Sequence, residues 1–157
     1  MKKRIALFAD IQNIYYTTRQ AYGRQFNYRE LWQRVTQQGE IVSANAYAIQ
    51  RYDDKQMKFQ EALTHIGFKV KLKPYIQRSD GSAKGDWDVG ITIDVMEAAP
   101  HVDTVVLLSG DGDFDLLLEK ITGYGVSAEV YGVPSLTAGS LIDSAGIYHP
   151  ITEDLLI

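Results

Sequence analysis

The residues of this 157-residue chain whose types and spacing can do chemistry are carboxylates at the ends of apolar runs. Leu107 to Phe114 reads LLSGDGDF, a strand exit followed by Asp111, Asp113 and Asp115 at every second position, with glycines between that allow a sharp turn. Asp10 ends a similar run, IALFAD, and Asp88 sits at the start of a helical pattern. Two bare carboxylates about 4 Å apart repel by about 4 kcal/mol at an effective dielectric near 20. A cluster therefore needs a cation, basic partners or raised pKa values. A site built of oxygen alone favours Mg²⁺ or Mn²⁺. The plainer role of each carboxylate is to cap a helix and complement its positive dipole end. Asn13, three residues beyond Asp10, returns to the same side of a helix start, where its amide can orient a carboxylate or simply close a turn.

The elements that must position these groups alternate between strand and helix. Arg4–Ala9 is apolar without alternation, as a strand covered on both faces should be. A helix through Tyr15, Tyr16 and Thr18 ends near Gly23. Asn27 caps a second helix carrying Tyr28, Leu31, Trp32 and Val35, which Gly39 stops. Ile41–Gln50 is the next strand. Asp53-Asp54 opens a helix with Met57, Ala62, Leu63 and Ile66 at helical spacing, ended by Gly67, and Phe68–Tyr75 is the third strand. A polar loop over Ile76–Gly85 precedes a helix from Asp86 to Ala99. Strand Thr104–Leu108, helix Phe114–Thr122, strand Val126–Tyr131, a short helix Pro134–Ser144 and an edge strand Ile147–Ile151 complete the pattern. The expected fold is α/β, a three-layer α/β/α arrangement with a mainly parallel central sheet of about five or six strands. Sites in such sheets lie beyond the carboxyl ends of the strands, where strand order reverses, so Asp10 and Asp111 should meet there. No linker or repeat divides residues 1–157, and a single domain is expected.

Several function classes are excluded. GxGxxG and GxxxxGK[ST] are missing, so dinucleotide and P-loop phosphate cradles are absent. The Asp111-Asp113-Asp115 spacing fails as an EF-hand, because position six is Leu116 and position twelve is Thr122. There is no Gly-x-Ser-x-Gly elbow or HExxH, and no cysteine for disulfides or thiolate ligands. His65 and His149 read as packed or surface residues, and His101 as part of a turn. No apolar run approaches the roughly 18–20 residues of a membrane span, and Met-Lys-Lys-Arg leads into a core strand rather than a signal peptide. A cytoplasmic location is expected.

The net charge of −4 divides unevenly: 15 Lys and Arg face 7 acids through Gly85, and 13 acids face Lys120 alone from Asp86 onward. An acidic site fed by a basic surface suits a polyanion.

Three motifs carry a family resemblance. Asp10-x-x-Asn13, then Lys84-Gly85-Asp86-Trp87-Asp88-Val89 with Asp94, then Ser109-Gly110-Asp111-Gly112-Asp113-Phe114 resemble the NYN domain family, which includes LabA-like proteins within the PIN-like nuclease fold. Val130-Tyr131-Gly132 with Ser140 is similar to the family's last strand and following helix. The resemblance covers nearly the whole chain. It implies a Mg²⁺- or Mn²⁺-dependent ribonuclease fold holding one or two ions. Asp10, Asp88, Asp111 and Asp113 would be metal ligands and catalytic residues, supported by Asn13, Ser109 and Asp94. Asp94 lies six residues from Asp88, about 240° round a helix, so it is expected to play a structural or supporting part. Asp115 falls outside the matched motif.

The implied partner is RNA, single-stranded or structured. Lys69, Lys71 and Lys73 alternate along a strand, and Arg78 and Lys84 follow, a stripe that can track a phosphate backbone while Tyr75 or Trp87 stacks on a base. Lysines protecting a sheet edge explain the strand members better, while Lys84, adjoining the Asp88 site, fits the phosphate-binding role. Tyr15, Tyr16 and Tyr22 fit packing, a protein interface or base stacking. A homo-oligomer or a protein partner would supply specificity. Two alternatives stand beside the nuclease: an RNA-binding or regulatory module with weak or no catalysis, and a small metal-dependent phosphohydrolase.

Overall fold

The computed structural model describes residues 2–50, 53–74, 76–77, 83–84 and 86–157, without the side chains of 76, 77, 83 and 84. Six strands, β1 Lys3–Asp10, β2 Gly39–Gln50, β3 Lys69–Pro74, β6 Thr104–Leu108, β7 Ser127–Gly132 and β8 Ile147–Pro150, form one sheet in the order β3-β2-β1-β6-β7-β8. Every pairing in it is parallel. Helices α1 Ile11–Tyr22, α2 Tyr28–Gln38 and α3 Asp54–Ile66 cover one face; α4 Asp88–Ala98, α5 Asp115–Gly123 and α6 Gly139–Ser144 cover the other.

The uninterrupted apolar run of β1 follows from this layering. Ile5, Leu7 and Ala9 pack with Ile14, Leu31, Val35 and Leu63 of the first helical layer. Ala6 and Phe8 point the other way, onto Ile91, Val95, Leu118 and Ile121. Successive strand side chains alternate between faces, so a strand with two dry faces must be apolar throughout. The ends of the first helices follow sequence chemistry. Asn27 accepts from the backbone N–H of Glu30 at 3.0 Å, and Asp53 accepts from Gln56 at 2.8 Å. Gly23, at φ 64°, closes α1 in a left-handed conformation that side chains with a Cβ resist.

Three details depart from the sequence pattern. The loop over Ile76–Gly85 contains a small antiparallel pair, β4 Ile76–Gln77 with β5 Ala83–Lys84, outside the main sheet. The short helix over Pro134–Ser144 is broken into a 3₁₀ turn at Pro134–Leu136 and α6, because Ala138 gives its N–H to the Gly110 carbonyl at 3.0 Å instead of continuing the helix. In α3, Leu63 is buried but Met57 is exposed, since the helix packs on edge strand β3 and on α2 through a narrow stripe.

The Gly110 contact also revises the role of the loop glycines. Neither Gly110 nor Gly112 has positive φ; both permit close approach. A Cβ on Gly110 would stand 2.6 Å from the Leu136 carbonyl oxygen, which belongs to backbone and cannot swing aside. Gly110→Ala is expected to cost about 1–3 kcal/mol of stability through overpacking. Urea unfolding would show this as a lower midpoint with an unchanged slope.

Candidate metal centre

Strand order reverses between β1 and β6: successive strands run outward to β3 on one side and to β8 on the other. The crevice beyond the carboxyl ends of β1 and β6 therefore receives Asp10 and the Ser109–Asp113 loop, and the start of α4 brings in Asp88.

One oxygen each from Asp88, Asp111 and Asp113 lie within 4.8 Å of one another. Hydrogen bonds hold the loop that carries two of them. Asp111 accepts from the backbone N–H of Asp113 at 2.9 Å, while its own N–H donates to Ser109 Oγ at 3.1 Å. Ser109 Oγ in turn donates to Asp10 Oδ2 at 3.0 Å. Asn13 Oδ1 accepts from the Gly110 N–H at 2.9 Å, tying the start of α1 to the loop after β6. Asp10 is thus buried one serine away from Asp111, behind the group of three rather than within it. Asp113 is the exposed member, and Asp115 turns back to accept its neighbour's N–H at 2.6 Å.

The electrostatics carry the signature of crowded negative charge. Burial pushes the Asp10 carboxyl up to about 6, against hydrogen bonding from the Ser109 hydroxyl and the Asn13 backbone N–H, with the charges of Asp111 and Asp86 adding to the rise. Asp88 rises to about 7, through desolvation first and then repulsion by, and hydrogen bonding to, Asp111. Asp86 presses on both and also accepts from the Asp88 N–H at 3.2 Å. Sequence alone does not single out this part, since Asp86 reads there as a helix-capping residue. A hard divalent cation relieves this repulsion, and three carboxylates without nitrogen or sulfur match its preference for oxygen.

Asp94 stands elsewhere. Its Oδ2 accepts from Lys71 Nζ at 2.6 Å and from the Tyr47 hydroxyl at 2.6 Å. Burial acts to raise Asp94, but these bonds and the charges of Lys71 and Lys69 outweigh it and hold the carboxyl below its ordinary value. Tyr47 lies opposite Asp10 in the β1–β2 register, a link that no sequence spacing reveals. Trp87 donates its indole N–H to the Ala48 carbonyl at 2.9 Å and meets the Tyr47 ring edge-on at 5.3 Å. Lys73 Nζ lies 4.5 Å from the Trp87 ring centre and donates to the Asp86 carbonyl at 3.1 Å. The lysines of edge strand β3 therefore differ in use: Lys71 and Lys73 brace α4, while Lys69 is exposed. Arg78 and Tyr75 lie outside the described residues, as does the side chain of Lys84.

This bracing has a measurable consequence. Lys71→Met leaves Asp94 with Tyr47 alone and loosens the helix that begins at Asp88. It is expected to cost about 1–2 kcal/mol of stability. Mn²⁺ affinity should fall about ten-fold, the lower range for groups that orient ligands. Isothermal titration alongside chemical unfolding would measure both.

The chain matches the NYN domain over residues 4–152. It belongs to the NYN domain family. This NYN chain is 29% identical over 158 residues to the low amplitude and bright protein LabA of Synechococcus elongatus, covering 96% of this chain and 84% of LabA. Its fold is similar to the crystal structure of a protein of unknown function from Vibrio parahaemolyticus, with a TM-score of 0.95 and 55% identity, over 99% of this chain and 97% of the other. Among the described residues of the NYN chain, no helix is long and apolar enough to cross a membrane.

Proposed function

We propose that this NYN domain, spanning residues 1–157, is a Mg²⁺- or Mn²⁺-dependent ribonuclease that hydrolyses RNA phosphodiesters in the cytoplasm. The observation that carries this reading is the convergence of Asp88, Asp111 and Asp113 within 4.8 Å at the sheet's switch point. These three residues would hold the cation, one or two ions in number, with Asp10 completing the charge behind them. When bound, such an ion acts as a Lewis acid toward the phosphate and lowers the pKa of a coordinated water.

The chain's own groups supply position. Ser109 orients Asp10 and receives the Asp111 N–H, so the two strand ends are locked at one spacing. Asn13 holds the Gly110 backbone and thereby aims the Asp111–Asp113 turn. The Lys71–Asp94–Tyr47 cluster and the Trp87–Ala48 bond set where α4 starts and so where Asp88 stands. Among the described residues no histidine joins the three carboxylates, and hydrolysis through a metal-activated water needs no protein nucleophile.

The test is labelled single-stranded RNA, the matching DNA and a structured RNA, incubated with Mg²⁺, Mn²⁺ or EDTA, comparing wild type with Asp10→Asn. RNA cleavage confined to wild type with metal is the expected result. RNA retained but uncut under every condition would reassign the chain as an RNA-binding module. Release of phosphate from a mononucleotide without RNA cleavage would mark a phosphohydrolase.

A further inference from the structure

The exposed face of α1 carries a set of chemically distinctive side chains not used in assembling the acidic centre. The helix starts at Ile11, directly after Asp10, and from Ile11 to Arg29 the chain has no carboxylate and carries Arg19, Arg24 and Arg29. At about 100° per residue, Gln20 falls about 20°, Tyr16 about 60°, Arg19 about 120° and Tyr15 about 160° round the helix from Asn13, all in one direction. Ile11, Ile14 and Thr18 take the opposite side into the core. A strip of amide, aromatic ring, guanidinium and amide thus leads from Asn13 away from the carboxylates. Tyr16 stands about 9 Å along the helix axis from Asp10 at 1.5 Å per residue.

The aromatic members are open. Tyr15 is 43% and Tyr16 51% exposed, and their rings meet edge-on at 5.5 Å, so their faces point in different directions. Arg19 donates to the Tyr15 hydroxyl at 2.7 Å, and its guanidinium lies 5.8 Å from the ring centre, holding a cation beside the π surface. The other exposed hydrophobic residues near the centre, Val89, Ile93 and Leu116, are aliphatic and offer no stacking face.

We infer that the Tyr15–Tyr16–Arg19 face of α1 is a stacking platform for the unpaired bases of a single-stranded RNA whose backbone passes toward the acidic centre. Cationic and aromatic groups together, without carboxylates, match the chemistry of single-strand binding, in which rings take bases and guanidinium takes phosphate. A duplex keeps its base faces stacked internally and cannot use such rings, so the platform selects single strands. The inference rests on the RNA substrate class of the reading above, and not on hydrolysis.

The experiment is fluorescence anisotropy of a labelled mixed-sequence RNA, as single strand and as duplex, in EDTA. Wild type should be compared with Tyr16→Phe, Arg19→Ala and the double variant Tyr15→Ala with Tyr16→Ala, and sedimentation should be run on each. Wild type is expected to prefer the single strand. The double variant should weaken that binding about ten-fold or more, with the salt dependence unchanged, while Tyr16→Phe keeps the affinity. Arg19→Ala should lower the slope of log affinity against log salt by about 0.7. Equal binding by wild type and the double variant, equal affinity for duplex, or no RNA binding at all would overturn the platform. So would conversion of a wild-type dimer to monomer by the double variant, which would make the face a protein interface. Tyrosine-dependent binding without metal-dependent cleavage would leave the platform standing and remove the nuclease. Cleavage that ignores the tyrosines would do the reverse.

Discussion

Asp111→Asn is expected to abolish metal-dependent RNA cleavage while making the metal-free protein more stable. Asp111 links several parts of the centre: it belongs to the 4.8 Å group, caps the turn at Asp113, and takes its own position from Ser109. Substituting groups that merely orient metal ligands costs about 10–100-fold, so loss of a ligand should reduce cleavage by at least ~10²-fold. Stability moves the other way. Asparagine keeps the oxygen that accepts from Asp113 and replaces a repelling charge beside Asp88 with an amide that can donate. The pair is partly solvated, so the gain is nearer the ~1 kcal/mol of a screened contact than the ~4 kcal/mol of a buried one. For a chain of this size that is about 2–4 °C in melting temperature. Differential scanning calorimetry in EDTA, paired with the cleavage assay, measures both. A variant that is both inactive and less stable would mean that Asp111 serves mainly as a turn cap.

The second large effect is on pH. Asp10 titrates at about 6 in the folded chain, above its ordinary 3.8, so between those values the native state holds a proton that the unfolded state has released. Stability must then fall as pH rises through this window. A tenfold change in proton affinity between folded and unfolded chain corresponds to about 1.4 kcal/mol, so Asp10 alone accounts for about 3 kcal/mol lost by neutral pH. Asp88, raised to about 7, extends the decline in the same direction. Asp94 and Asp154 are held low and act in the opposite sense, but their contribution is lost only as pH falls below the ordinary carboxylate range. Melting temperature in EDTA should therefore decrease from about pH 5 to pH 7.5. Mn²⁺ or Mg²⁺ binds the deprotonated carboxylates, so its stabilising effect should be small at pH 5.5 and grow toward pH 8, with protons released on binding. Melting curves across this range with and without ion would show the two trends diverge. Parallel curves would mean that the ion binds elsewhere.

Much of the architecture was legible because local chemistry and burial agree. A run such as IALFAD, apolar at consecutive positions, has few stable settings other than a strand with both faces covered. Asn27 and Asp53 announced helices through side chains that bond their own backbone, an interaction complete within three residues. The strand-end carboxylates and the family resemblance were likewise readable from short motifs, and the NYN match over residues 4–152 spans those stretches. The break at Thr137–Ala138 was not, because the cause is a bond to Gly110 in another part of the chain.

The chain's amino-acid order by itself determined the six strands, their helical partners, the family, and the placing of Asp10, Asp88, Asp111 and Asp113 at element ends. Tertiary structure alone decided which carboxylates meet: Asp88, Asp111 and Asp113 share one space, while Asp10 stands behind Ser109 and Asp94 turns to Lys71 and Tyr47. The lysine stripe on β3 divides for the same reason. In sequence, three alternating lysines are equivalent; in the fold, the helix packed across them gives Lys71 a carboxylate and Lys73 an indole ring. Periodicity reports which face a side chain takes, since that follows from backbone geometry within a few residues. Partners that arrive from other elements, 23 residues away for Lys71 and Asp94 and 99 for Asp10 and Ser109, are set only when the chain closes on itself.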